Sequence, residues 1–209
     1  MKKLNLLLTA IAILMLTPFI NAQTIVGSAH DFSTQTWNTS GEICKVCHTP
    51  HNADISVSNA PLWNHQLSAV ASYLVYSSAT MNATVGQPDG SSKLCLSCHD
   101  GTVALQNFGG VTSGTTYMTG PNLVGTELNN DHPVSFTYDA ALATADPGLF
   151  NPTTHLSGLG GTITNDLLIA GKLQCSSCHD VHNNAAGTPP SLLVKSNAAS
   201  ALCLTCHNK

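Results

Sequence analysis

Cys44-Lys45-Val46-Cys47-His48 and Cys95-Leu96-Ser97-Cys98-His99 are answered in the second half of the chain by Cys175-Ser176-Ser177-Cys178-His179 and Cys203-Leu204-Thr205-Cys206-His207. These four Cys-x-x-Cys-His stretches use all 8 cysteines of the 209-residue sequence. Two thiols three residues apart on a tight turn can each add to one vinyl group of the same porphyrin, and the side chain that follows can reach its iron. With 8 Cys and 10 His available, chance gives about 0.01 copies of the pattern. The sequence therefore reads as a carrier of four covalently bound haem c groups. Cys44, Cys47, Cys95, Cys98, Cys175, Cys178, Cys203 and Cys206 are the thioether positions, and His48, His99, His179 and His207 are the proximal iron ligands. Zinc and disulfides are the rival uses of paired cysteines in an exported chain, but neither needs a His directly after every second Cys.

Lys2 and Lys3, the apolar run from about Leu6 to Leu16, Pro18 and the small residue Ala22 have the layout of a secretory signal peptide over 1–22. A single mature domain, 23–209, is expected outside the cytoplasm, extracellular or alternatively periplasmic, with no later segment long enough to span a bilayer. About 187 residues then serve four haems, roughly 47 residues each, so porphyrins must supply much of the core. Aromatic residues are 5% and charged residues 9% of the chain, which fits a fold with little protein core of its own. The formal charge of −4 becomes more negative once Lys2 and Lys3 are removed, and no Arg is present. Nucleic acid is thereby disfavoured as a partner, for want of a basic patch. A site gathering a small anion such as nitrite would also want Arg or clustered Lys.

The chain is one two-haem unit written twice, over about 27–110 and 130–209. The first module runs His30, Cys44 to His48, His51-Asn52, then Leu94 to His99; the second runs His132, Cys175 to His179, His182-Asn183, then Leu202 to His207. Leu62-Trp63-Asn64-His65 matches Leu192-Leu193-Val194-Lys195. Residues 106–131, rich in Gly, Thr and Asn, read as loops, with a hairpin as the regular element available to them. Each motif calls for a short helical turn, and 66–77 and 140–145 for short helices, in a mostly irregular chain wrapped around stacked porphyrins.

Four irons need four sixth ligands. His30, His51, His132 and His182 recur in both modules and are the distal candidates. His51 and His182 follow a proximal His by three positions, which puts both imidazoles along one side of a turn and suits a bridge to a neighbouring haem. His132 precedes Pro133, so its ring is presented from an extended loop. His30 lies near the start of the mature chain, where a terminus is ordered only if something ties it down. His65 answers to Lys195 and is the weaker distal candidate, with a propionate-pairing or solvent role preferred. His155 reads as a surface loop residue; Met81 and Met118 remain axial alternatives that six spare His make unnecessary.

Gly27-Ser-Ala-His-Asp-Phe-Ser33, Cys47-His-Thr-Pro-His-Asn-Ala53, Pro61-Leu-Trp-Asn-His65, Leu94-Cys-Leu-Ser-Cys-His-Asp-Gly-Thr102 and Asp131-His-Pro-Val-Ser-Phe136 together resemble the doubled CXXCH family of multihaem cytochromes, over nearly the whole mature chain. Within it the chain is similar to tetrahaem cytochromes that polymerise into extracellular cytochrome nanowires. That resemblance implies bis-His haems in alternating stacked and T-shaped pairs, with one distal His crossing to the adjacent subunit, a role carried to His30. The expected function is electron transfer without enzymatic turnover, as the subunit of a conductive filament. A soluble periplasmic shuttle is the alternative, and a haem reductase of a small inorganic substrate stands behind both. The expected partners are copies of itself, other multihaem cytochromes or extracellular electron acceptors.

Overall fold

Pro, Gly and short polar side chains interrupt each apolar pattern before it extends beyond a few turns, and the elements are correspondingly short. The computed structural model describes residues 25–182 and 192–209; the expected signal segment lies outside the described residues. Helix α1 spans Gly90–His99, α2 Ala140–Ala145, α3 Ile163–Asp166 and α4 Cys203–Cys206. Strand β1 (Leu74–Val75) pairs in parallel with β2 (Glu127–Leu128), and β3 (Phe136–Thr137) pairs antiparallel with β4 (Lys172–Leu173). The other described residues are short 3-10 turns, isolated bridges, turns and coil. Among the described residues no helix is long and apolar enough to cross a membrane.

Every motif occupies a helical turn. Cys44–Val46 and Cys175–Ser177 are single 3-10 turns, the second motif ends α1, and the fourth begins on α4. His48, His179 and His207 each donate a backbone N–H to the carbonyl of the first Cys of their motif, at 2.8, 3.0 and 3.0 Å. The helix α2 forms where expected because Asp139 caps it, its carboxylate accepting from Leu142 N at 2.8 Å.

Two expectations are overturned. Residues 66–77 are not a helix. Gln66 N donates to Asn107 O and Leu74 N to Thr126 O, while the Gln87 amide accepts from Tyr73 N at 2.6 Å and donates to Tyr73 O at 3.1 Å. Long-range partners thus consume the groups a helix would pair internally. Residues 106–131 hold no hairpin: a 3-10 turn at Gly120–Asn122 leads into β2, whose partner is the distant β1.

Among the described residues, buried apolar side chains gather in three separate clusters rather than one core. The largest is Phe136, Tyr138, Leu142, Ile163, Leu167, Leu168 and Leu173; the others are Val57, Trp63 and Leu94, and Tyr73, Leu96 and Leu128. Domains of this length normally build one contiguous cluster, so the protein atoms alone leave the interior divided.

A polar clamp joins the N-terminal end of α1 to the third motif. Gln174 is 2% exposed. Its Oε1 accepts from Ser92 Oγ at 2.5 Å and Ser135 Oγ at 3.0 Å, and its Nε2 donates to Asp89 Oδ1 at 2.8 Å. Asp89 is also ion-paired with Lys172, and Cys175 N donates to Ser92 Oγ at 3.0 Å. Gly90, at φ +48°, lies so close that an added Cβ would come within 3.1 Å of Gln174 Nε2. Replacing Gln174→Ala strands buried donors and an acceptor, so it should destabilise the protein by about 2–3 kcal/mol. A thermal midpoint equal to the wild type would refute this role.

Candidate haem-binding sites

Three pairs of histidine rings face one another at nearly one spacing. His30 and His99 have ring centroids 6.0 Å apart, His48 and His182 6.1 Å, and His132 and His207 6.3 Å, with interplanar angles of 47°, 21° and 75°. Direct stacking is much closer, as Phe150 on His155 shows at 3.8 Å and 6°. An iron bound at about 2 Å by one nitrogen of each ring separates the two centroids by about 6 Å. Each pair combines the His of one Cys-x-x-Cys-His motif with one distal candidate.

Hydrogen bonds orient these rings. Nδ1 of His48 donates to Pro61 O at 2.5 Å, Nδ1 of His99 to Asn122 O at 2.7 Å, and Nδ1 of His132 to Pro133 O at 2.9 Å. A carbonyl only accepts, so Nδ1 carries the proton in each and Nε2 keeps the lone pair a metal needs. Burial, helped by His99, His179 and His182, lowers the pKa of His30 to about 4; burial likewise lowers that of His207. Both rings are then neutral, the ligand form, near neutral pH.

The modules repeat each other bond for bond. Thr49 N donates to Leu62 O and Asp180 N to Leu192 O; Asn64 N donates to Cys47 O and Val194 N to Cys178 O. Ser97 Oγ donates to Lys93 O, and Thr205 Oγ1 to Ala201 O. Leu62 and Leu192 share the left-handed conformation, at φ 55° and 51°. The histidine pairs obey the same equivalence: His30 and His132, which open the modules, meet the His of the second motif of their own module. His182 instead reaches across to His48 of the other module.

The other histidines sort as follows. His51 and His179 are both exposed, His51 with its backbone carbonyl accepting from Thr49 Oγ1 at 2.8 Å. The crossing role that the resemblance carries to His30 finds an in-chain counterpart here, since His99 of the same chain faces it. Of the propionate-pairing or solvent role expected for His65, the solvent half is overturned: the residue is 2% exposed, donates Nδ1 to Gln66 O at 2.9 Å and sets Nε2 3.6 Å from Cys98 Sγ. His155 is half-buried on Phe150 rather than a free surface residue. Met81 and Met118 are half-buried in coil.

The thiols suit thioethers. Burial pushes Cys47 and Cys206 up to about 11 and Cys98 to about 12, so these thiols are neutral in the haem-free chain. None of the eight cysteines is disulfide-bonded, and among the described residues no three His, Cys, Asp or Glu side chains converge as a metal cluster. Cys95 and Cys175, from the second and third motifs, hydrogen-bond to each other, which raises the pKa of the first and lowers that of the second. The Trp63 indole N–H is buried without an acceptor, a polar group that a porphyrin carboxylate can satisfy. Missed in the sequence were the orienting carbonyls of Pro61 and Asn122, which no residue-type signal marks, and the Gln174 clamp.

Residues 168–209 match the family model of the doubled CXXCH motif. No curated protein matches the chain. Read with the matched segment, the Cys-x-x-Cys-His motifs indicate covalently bound haem c and support a multihaem c-type cytochrome in electron transfer.

Proposed function

We propose that the chain is a tetrahaem c-type cytochrome that carries electrons along closely spaced, bis-His haems. The observation that carries this reading is the set of three imidazole pairs at 6.0–6.3 Å, each containing the His of a Cys-x-x-Cys-His motif. His30, His182 and His132 are the distal ligands opposite His99, His48 and His207. The equivalence of the modules assigns His51 to His179, since His182 reaches His48 from the same offset after its own motif. Bound there, haem supplies a ferric/ferrous couple that exchanges one electron at a time.

Such a reciprocal exchange would make two of the sites neighbours. His182 lies three residues after His179, so on this reading the first and third sites are adjacent, and we take the second and fourth, which the exchange leaves out, as the outer ones. His65 belongs to the packing around Cys98 and not to the ligand set.

Two assemblies follow. The resemblance supports the subunit of an extracellular conductive filament, in which outer haems meet end to end across a heterologous interface that does not close. The soluble periplasmic shuttle is favoured by one observation, the facing of His30 and His99 within one chain, which supplies the sixth ligand of that site from its own subunit. A reductase would need an iron with an open position and proton donors beside it. The cleft of about 350 Å³ against the Gln174 clamp, lined by Asp89, Lys93 and Lys172, has no histidine in its wall.

Electron microscopy of the native protein from cell surface and culture medium, with haem content measured on the same sample, tests the assembly. Filaments with four haems per chain establish the conductive polymer; discrete particles with four haems establish the shuttle. Fewer than four haems per chain overturns the tetrahaem reading, and carbon monoxide binding by the reduced wild type overturns full bis-His ligation.

A further inference from the structure

The two modules are equivalent in backbone and hydrogen bonding, yet they differ in charge at two positions beside the second motif of each. Asp100 directly follows His99, and its counterpart after His207 is Asn208. Asp100 is 4% exposed. Its carboxylate accepts from Tyr73 OH at 2.7 Å, Thr102 N at 2.8 Å and Thr102 Oγ1 at 2.8 Å. All three partners are neutral donors, so the negative charge is buried without a cation. It lies within electrostatic reach of Cys98.

The second difference has the opposite sign. His65, neutral and buried, has Nε2 3.6 Å from Cys98 Sγ. Its counterpart Lys195 lies within electrostatic reach of Cys206. The Lys195 ammonium donates to Ser157 O at 2.6 Å and to Thr205 Oγ1 at 3.0 Å, inside the fourth motif. Its acceptors are a carbonyl and a hydroxyl, both neutral.

Other charges nearby do not reverse the contrast. Around His207, Asp146 and Lys209 act in opposite directions. Asp166 accepts from Ser157 Oγ and Gly161 N, behind the Ser157 carbonyl that Lys195 holds. On the other side, Lys93 of α1 is within reach of Asp54. What remains is a buried anion at the second motif and a held cation at the fourth.

We infer that Asp100 and Lys195 set a potential difference between the two outer haems, making the haem at Cys203–His207 the preferred seat of an electron over the haem at Cys95–His99. This rests on the tetrahaem, bis-His reading above. Reduction adds one negative charge to the site. A neighbouring carboxylate opposes that addition and a neighbouring ammonium favours it, more strongly when water is excluded. Axial ligation is the same at both sites, so the usual dominant cause of a potential difference cancels and fixed charge decides. A tetrahaem chain built from a duplicated unit would otherwise be symmetric, with no preferred end.

Redox titration of the haem-loaded Lys195→Met and Asp100→Asn variants, resolved into one-electron steps, tests the assignment. Lys195→Met should lower one step and Asp100→Asn should raise a different, lower-lying step. Each should change the sharing of an electron between the two outer haems about tenfold, which is about 59 mV for a one-electron couple. Lys195→Arg, which keeps the charge, should leave the steps where they are. The inference fails if the step moved by Lys195→Met lies below the one moved by Asp100→Asn, or if neither moves. Should a variant not accumulate, stepwise reduction of the wild type followed by NMR decides: haem signals near Thr205 should lose their paramagnetic shifts before those near Tyr73, and the reverse order overturns the inference. A haem assay on each sample keeps the questions apart, because haem missing from either motif counts against the haem reading, whereas full haem with unmoved or reversed steps overturns the charge assignment alone.

Discussion

Produced without haem attachment, the chain should fail to fold. The argument is one of core size. Seven, three and three buried apolar residues make up the three clusters, and each is too small to offset the chain entropy of the segments around it, at about 1–2 kcal/mol per ordered residue for the backbone. The regular elements add little, since α1 with 10 residues is the longest among the described residues and isolated helices shorter than about 12–15 residues are marginal in water. Four thioether-linked haems would join these clusters into one interior, as a structural metal does for a small domain. The expected result is a haem-free chain with collapsed amide dispersion by NMR, unprotected hydrogen exchange and no cooperative thermal transition, beside a haem-loaded protein that shows all three signs of order. A haem-free chain that melts cooperatively would sink the idea that porphyrins complete the core.

The same weakness of local structure explains what could be read in advance. The motif turns were legible because Cys-x-x-Cys-His is a local pattern that a single turn satisfies, and α2 was legible because Asp139 is a cap beside a run of alanines. The facing of His30, His132 and His182 with proximal histidines follows from recurrence in the two modules, which narrows the candidates without any coordinates. Residues 66–77 were not legible, because Gln87, Asn107 and Thr126, far along the chain, take their backbone groups. His65 was misplaced for a related reason: its alignment with a lysine suggests solvent, but Trp63 and Cys98 enclose it. The pair Asp100 and Asn208 is written in the aligned motifs, yet only the three neutral donors around Asp100 reveal a buried anion.

On the tetrahaem, bis-His reading proposed above, substituting His182→Ala should convert one haem from six-coordinate to open, and carbon monoxide uptake by the reduced protein should rise from none to about one per chain. The geometry behind this is specific. The His182 ring lies 6.1 Å from His48 and nearly parallel to it, at 21°, although the two belong to different modules. Asp180 tethers the residue, its carboxylate accepting from His182 N at 2.9 Å, so the turn after the third motif is held where the ring points at the first. His51→Ala should open the third site in the same way, and the double variant should bind about two. Replacing His65, enclosed and committed to Gln66 O, or His155, stacked on Phe150, should open none. The pattern separates ligands from packing histidines without a structure of the variants. If His51→Ala left uptake at zero while His182→Ala raised it, the reciprocal exchange would be one-sided and the third iron would take its sixth ligand from elsewhere, including a neighbouring copy. That outcome would also revive the filament's need for a shared histidine, at His179 rather than at the His99 site that His30 faces. On the reading that places the first and third sites between the outer ones, opening either would put a ligand-binding iron in the middle of the electron path, and exchange between the outer haems should slow when carbon monoxide is bound.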